Sequence, residues 1–123
     1  MPEPMSYSVM LHQTPVSLNR WQRMHWAEQA KLRKAWDDEM FYVCTLIPRH
    51  MAHINISATL WFDTNRKRDV DNYASVLWKW TLDSLVNLGI IPDDTSMYVS
   101  CGTVDLRIDK EKIPRTELTM EVS

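Results

Sequence analysis

The chain has 123 residues, the size of one domain, and 14 Lys and Arg against 16 Asp and Glu give a formal net charge of −2. That balance does not by itself indicate a nucleic-acid-binding protein. Only two Gly occur, so the chain has no Gly-rich phosphate loop; this excludes nucleotide-binding enzymes of the Rossmann and P-loop types and predicts no nucleotide cofactor.

Cysteine content and the composition of the first residues predict a cytoplasmic protein. Cys44 and Cys101 form no C-x-x-C motif, so we expect reduced thiols. Residues 1–17 contain no Lys or Arg, unlike the basic start of a signal peptide. The longest nearly apolar stretch, 40–47, is far shorter than the ~20 residues that cross a bilayer, so no membrane partner is expected. The four His show no ligand spacing with the Cys, and no zinc site is predicted.

The first half of the chain is predicted to contain two strands and a helix. Alternating apolar residues over 7–11 predict a strand, and a turn-rich segment follows over 12–19. From Trp21 onward the spacing of apolar residues predicts one long helix that ends at Pro48. The apolar series of this helix comprises Trp26, Ala30, Trp36, Met40, Val43 and Ile47. Strict alternation over 53–62 predicts a half-buried strand.

The second half is predicted to hold a second helix between strands. Residues 66–71 are expected to be extended, and Asn72 is a good N-cap for a helix that runs up to Gly89, the expected left-handed stop. Alternation over 104–108 and 118–122 predicts two further strands. The order of elements predicts a single α+β domain, with two main helices packed on one face of a mixed sheet.

Four carboxylates flank this second helix. Asp69 and Asp71 are two residues apart on the predicted extended segment, so both side chains should point the same way. Asp93 and Asp94 follow the helix, and packing of that helix on the sheet could return them to the same place. Converging carboxylates repel one another unless a cation neutralises them, and all-oxygen ligation suits Mg²⁺ or Mn²⁺. The sequence therefore predicts a divalent-metal site.

Three basic residues precede the acids. Arg66, Lys67 and Arg68 could bind the phosphates of a polyanion. Carboxylates, a divalent metal and a basic flank are together typical of a metal-dependent phosphodiesterase. The same residues also fit a solvated strand face, a common turn and a basic loop tip, and Lys79 with Asp83 fits a surface i, i+4 pair.

Four motifs occur in order along the chain: S-L-N-R-W-Q-R over 17–23, R-D-V-D-N over 68–72, K-W-T-L-D-S-L over 79–85 and G-I-I-P-D-D over 89–94. Their order and spacing resemble the RusA family of Holliday junction resolvases, and the resemblance covers essentially the whole chain. It implies a homodimer that cuts branched DNA, classically four-way junctions, with Mg²⁺ as cofactor.

The resemblance also implies roles for individual residues. The implied metal ligands are Asp69, Asp71 and Asp94 with Asp93 beside them, and the implied catalytic residues are Asp69, Asp71, Asp94 and Lys79. In the best-known members the lysine lies one helical turn after the second acid, where this chain has Ser75. Lys79 lies one further turn along the same polar stripe, so the role could survive at longer reach.

We expect Arg66, Lys67 and Arg68 to contact DNA together with Arg20 and Arg23 of the first motif. Two alternatives stay open, a DNA-binding protein that has lost cleavage and a nuclease that acts on flaps or forks. The net charge of −2 and the displaced lysine are consistent with the first alternative. The retained acids favour an enzyme, since a binder would gain by losing anionic charge that faces phosphate.

Overall fold

Between residues 5 and 122, the part of the chain that the computed structural model describes, there are four strands and three helices. In chain order these are β1 (Ser6–Leu11), α1 (Leu18–Arg23), α2 (Trp26–Val43), β2 (Ile54–Phe62), α3 (Val70–Asn87), β3 (Val99–Ile108) and β4 (Arg115–Val122). The predicted α+β class, with a mixed sheet and two main helices, is confirmed, and α1 is a short addition. No helix in this range is long and apolar enough to span a bilayer.

The four strands form one sheet in the order β1-β4-β2-β3. β4 is antiparallel to both of its neighbours, whereas β2 and β3 are parallel. Two parallel strands need a crossover connection, because the chain must return to the edge of the sheet where the first strand began. α3 forms that crossover, so its two ends lie at opposite ends of the strands.

Strict alternation along β2 separates a core face from an open face, as predicted. Ile54, Ile56, Ala58, Leu60 and Phe62 are all buried, while the residues between them are half-buried or exposed. α2 contacts β1 and α3 contacts β3, so the helices cover the core face. The side chains between helices and sheet form one continuous hydrophobic cluster.

The prediction of a single helix that ends at Pro48 is wrong, because the structure has two helices there, α1 and α2. Met24 and His25 separate the two helices and have extended backbone angles. His25 caps α2, since its Nδ1 accepts a hydrogen bond from the backbone N–H of Ala27 at 3.2 Å. Such a local side-chain bond competes with continuing the helix. Trp26, part of the predicted apolar series, is consequently 73 % exposed.

The predicted start of α3 is also wrong. Asp69, not Asn72, is the N-cap, and its Oδ1 accepts a hydrogen bond from the backbone N–H of Asp71 at 3.1 Å. Asp71 is therefore already helical, so the two carboxylates do not share one side of an extended segment. Asn72 instead accepts a hydrogen bond from the backbone N–H of Asn19, which ties α1 to α3. The end of α3 is confirmed, with Gly89 at φ +74°.

The third strand is longer than predicted. β3 begins at Val99, which pairs with Ile54, and its register shifts between Ile56 and Ala58 of β2. This irregularity interrupts the alternation that marks the later part of the strand. At Gly102 a Cβ atom would lie 3.3 Å from the carbonyl oxygen of Ile56, so the two backbones approach closely where glycine stands.

Candidate functional site

The first turn of α3 presents two carboxylates to solvent. Asp69 and Asp71 are both exposed, and one carboxylate oxygen of Asp69 already accepts the capping hydrogen bond. Negative charge is favourable there, because unsatisfied N–H groups give a helix start a partial positive charge. Mg²⁺ is usually held by one or two carboxylates, with waters and substrate phosphate completing its shell. This pair therefore fits Mg²⁺.

The other two candidate acids lie beyond the last turn of α3. Asp93 and Asp94 are exposed, and Asp93 Oδ1 accepts a hydrogen bond from the backbone N–H of Asp94 at 2.8 Å. They line a cavity of about 330 Å³ together with Asp83 and Asn87 of α3 and Arg33 of α2. Arg33 Nη2 lies 3.7 Å from Asp83 Oδ2, so one cation partly offsets this group of acids.

The two acid pairs are far apart within one chain. Asn87 follows Asp71 by sixteen residues, which corresponds to about 24 Å along a helix axis. Within residues 5–122 no group of three or more His, Cys, Asp or Glu is placed to hold a metal ion. Within one chain the structure therefore does not bring Asp94 beside Asp69, and a metal site shared by these acids stays a prediction. The cause is the crossover, which carries the chain from the carboxyl end of β2 back to the amino end of β3.

Lys79 lies on the exposed surface near the middle of α3. It follows Asp71 by eight residues, or about 12 Å along the helix axis. Ser75 is exposed between them, and its hydroxyl donates to the backbone carbonyl of Asp71 at 2.9 Å. Side chains on a helix lean toward its N-terminus, so the Lys79 ammonium covers part of the distance to Asp71.

Four of the five predicted DNA-binding residues meet in one cavity of about 480 Å³, here called the basic cavity. Arg20 and Arg23 of α1 and Arg66 and Arg68 of the loop before α3 all line it. The hydrogen bond between Asn19 and Asn72 holds the two segments together. Lys67, the fifth, is exposed and is not among the residues that line the cavity. The structure thus joins two motifs separated by more than forty residues.

The basic cavity also has an apolar wall that sequence reasoning missed. Phe62 and Tyr73 line it, and their rings meet edge to face with centroids 5.2 Å apart. The guanidinium carbon of Arg68 lies 3.9 Å from the Phe62 ring centroid, and its nitrogens donate to Thr64. Alternation placed Phe62 in the core, where it is indeed buried. The position of Phe62 at the end of β2, next to the basic loop, was the sequence signal that could have placed it in the wall of the cavity.

A polar contact between α2 and α3 fixes the spacing of these two helices. Arg33 Nη1 lies 2.7 Å from Asp37 Oδ1, and the Ser84 hydroxyl donates to the same carboxylate oxygen. Ser84 is buried, so the contact satisfies a hydroxyl that would otherwise be unpaired in the core. The contact holds Arg33 beside the cavity that Asp93 and Asp94 line.

No protein-family model matches this chain, and no curated protein matches it. The structure gathers the arginines at the end of α3 where Asp69 and Asp71 lie, and leaves Asp93 and Asp94 at the opposite end.

Proposed function

We propose that the chain is a cytoplasmic, Mg²⁺-dependent and structure-selective endodeoxyribonuclease that resolves Holliday junctions or related branched DNA. The observation that carries the proposal is the juxtaposition of the basic cavity with two exposed carboxylates. Arg68 lines the cavity and directly precedes Asp69, and Tyr73 lines it from the first turn of α3. Arginines that bind phosphates beside carboxylates that bind a metal are the components of phosphodiester hydrolysis.

Each group has a distinct task in this proposal. Asp69 and Asp71 hold Mg²⁺, which when bound neutralises charge on the phosphate and lowers the pKa of a coordinated water. The arginines of the basic cavity orient the DNA backbone without reading its sequence. Lys79 stabilises negative charge on a phosphate that lies between it and Asp71.

The proposal includes a homodimer, for which α3 carries a suitable surface. An apolar row runs along α3 at every fourth position, with Val70 exposed and the other members half-buried. The row consists of Val70, Ala74, Trp78, Leu82 and Val86. Val70 lies between Asp69 and Asp71, and Val86 lines the cavity of Asp93 and Asp94. The row is therefore apolar throughout, and a pair of acids lies at each of its two ends.

A two-fold axis at Trp78 would pair the middle of this row with itself in antiparallel fashion. Ala74 then faces the partner's Leu82, because the two are equidistant from Trp78, while the row winds by about 40° per step and carries Val70 and Val86 away from the contact. The start of one α3 lies at the end of the other, so Asp69 and Asp71 are at the same end of the helix pair as the partner's Asp93 and Asp94. Two equivalent composite sites would suit a junction, which has two strands to cut.

Synthetic DNA substrates test the activity. We expect cleavage of four-way junctions in Mg²⁺ or Mn²⁺, and no cleavage of linear duplex of the same sequence. Flap and fork substrates in the same assay determine which branched form is preferred. Ca²⁺ serves as the control that permits binding without turnover. The nuclease proposal is wrong if the protein binds branched DNA but cuts it with no divalent metal.

Mixing two inactive variants tests the composite site. One variant carries Asp69→Asn and Asp71→Asn, and the other carries Asp93→Asn and Asp94→Asn. Each alone should be inactive, while a heterodimer of the two retains one complete site. Equal mixing and subunit exchange should therefore restore about one quarter of the sites. No restoration, with exchange verified by mixed affinity tags, would show that each site belongs to a single chain.

A DNA-binding protein without cleavage is the second candidate function. It is favoured by one observation, that the arginines converge within one chain while the four acids do not. Under this alternative the basic cavity binds phosphates, and Asp93 and Asp94 belong to an ordinary turn. The metal-dependent cleavage assay separates the two candidates directly.

A further inference from the structure

The basic cavity has two chemically different walls. Arg20, Arg23 and Arg66 supply the charged part, and the apolar part consists of Leu32, Phe62 and Tyr73 with Arg68 packed on Phe62. A groove that only follows the DNA backbone needs cations but no apolar wall, because phosphates and sugars are polar. A volume of about 480 Å³ lies within the usual range of small-molecule sites. The cavity therefore suits an amphipathic, anionic ligand.

The charge of the cavity suits more than one phosphate. Four guanidinium groups line it, and none of the described residues that line it is acidic. Arg20 Nη2 lies 3.9 Å from Glu28 Oε1, but both side chains are more than half exposed, so this pair is weak. A nucleotide within a strand has a phosphate on each side, and the cavity offers enough positive charge for both.

The apolar wall includes a preorganised flat surface. The Arg68 guanidinium packs on the Phe62 ring at 3.9 Å and is held there by hydrogen bonds to Thr64 of 2.8 and 2.9 Å. Tyr73 packs against Phe62 from the first turn of α3. Unstacked bases pack on aromatic rings and on guanidinium planes. Because these groups are already fixed, little side-chain entropy is lost when a base binds.

We propose that the basic cavity takes up one unpaired nucleotide, with the base against the wall of Leu32, Tyr73 and Arg68 and the flanking phosphates on Arg20, Arg23 and Arg66. The inference rests on the proposed nuclease function, since it names the substrate feature that the site recognises. A nucleotide held there has its flanking phosphodiester beside Asp69 and Asp71. Branch points and flaps offer such a nucleotide readily, whereas fully paired duplex must first be unstacked.

Binding of short single-stranded oligonucleotides in EDTA tests this inference without any cleavage. The unmodified protein is titrated with two oligonucleotides. The first has a single base, at its central position, and the second has an abasic site at that position as well. We expect the abasic oligonucleotide to bind about tenfold more weakly, as a lost base–aromatic stack implies. 2-Aminopurine at the central position should be quenched on binding, which reports stacking directly.

Three variants locate the effect. Tyr73→Leu should remove most of the difference in affinity between the oligonucleotide with the base and the abasic one. Arg66→Gln should weaken the binding of both oligonucleotides equally. Lys110→Ala, an exposed cation in the turn between β3 and β4, is the control and should change neither. Thermal melting checks that each variant folds, and the abasic comparison in the unmodified protein does not depend on any variant.

The outcomes separate this inference from the nuclease proposal. Equal binding of both oligonucleotides by the unmodified protein would overturn the inference, because the cavity would then bind phosphate alone, while junction cleavage in Mg²⁺ would be unaffected. Base-dependent binding lost in Tyr73→Leu would support the inference even in a protein that never cuts DNA. A quenching signal that persists fully in Tyr73→Leu would place the base elsewhere and overturn it.

Discussion

Asp69 has two separable tasks, capping α3 and binding metal, and two substitutions distinguish them. Asp69→Ala removes the capping oxygen that accepts from the Asp71 N–H, a loss of about 1 kcal/mol. It also removes a negative charge from the helix start, which adds about 0.5 kcal/mol. Asp69→Asn retains a good cap and loses only the charge. We therefore expect destabilisation by about 1.5 kcal/mol for Ala and about 0.5 kcal/mol for Asn.

These free energies convert to measurable shifts in melting temperature. For a domain of this size 1 kcal/mol corresponds to about 4 °C, so we expect a Tm lower by about 6 °C for Asp69→Ala and about 2 °C for Asp69→Asn. Both variants should lose junction cleavage in Mg²⁺, because neither retains the carboxylate. Junction binding in Ca²⁺ should persist or strengthen, since an anionic group that faces phosphate has been neutralised.

Circular dichroism melting and single-turnover cleavage of a four-way junction at saturating Mg²⁺ are measured on the same preparations. Asp63, an exposed residue of the same loop, supplies matched Ala and Asn controls that should leave both quantities unchanged. Equal destabilisation by Asn and Ala at Asp69 would refute the capping geometry. Cleavage at the unmodified rate by Asp69→Asn would refute the metal role.

Three further predictions concern the lysine, the arginines and the thiols. Lys79→Ala should slow single-turnover cleavage about a hundredfold with little change in metal affinity, and Ser75→Ala should have little effect. If Lys79→Ala changed only the Mg²⁺ titration, the role of Lys79 in stabilising charge on the phosphate would be contradicted. Arg66→Ala should weaken binding to all DNA shapes equally in gel-shift assays. It should also reduce the slope of log affinity against log salt concentration by about one. A loss of affinity confined to junctions would mean that Arg66 reads shape. Burial raises the pKa of the Cys44 thiol to about 11, so at pH 8 a thiol reagent should label exposed Cys101 first and Cys44 only on unfolding, as mass spectrometry can establish.

Local sequence patterns were sufficient for the elements whose faces differ clearly. β2 was predicted within one residue of its start, because a strand with one buried face must alternate apolar and polar side chains. The end of α3 was predicted because Gly89 adopts a positive φ that other residues disfavour. The start of α3 was missed, since Asp69 and Asn72 are both good N-caps and only the folded backbone shows which one accepts the hydrogen bond.

The candidate site divides in the same way. The residue types that could bind metal and DNA were identifiable from the sequence, because carboxylates and arginines have distinct chemistry wherever they lie. Which of them meet was decided by the tertiary structure. Packing of α1 against the start of α3 assembled the basic cavity from Arg20, Arg23, Arg66 and Arg68, and the crossover between parallel strands separated Asp94 from Asp69. Periodicity reports the environment of each element along its own length, whereas the relation between distant segments depends on how the elements pack in three dimensions.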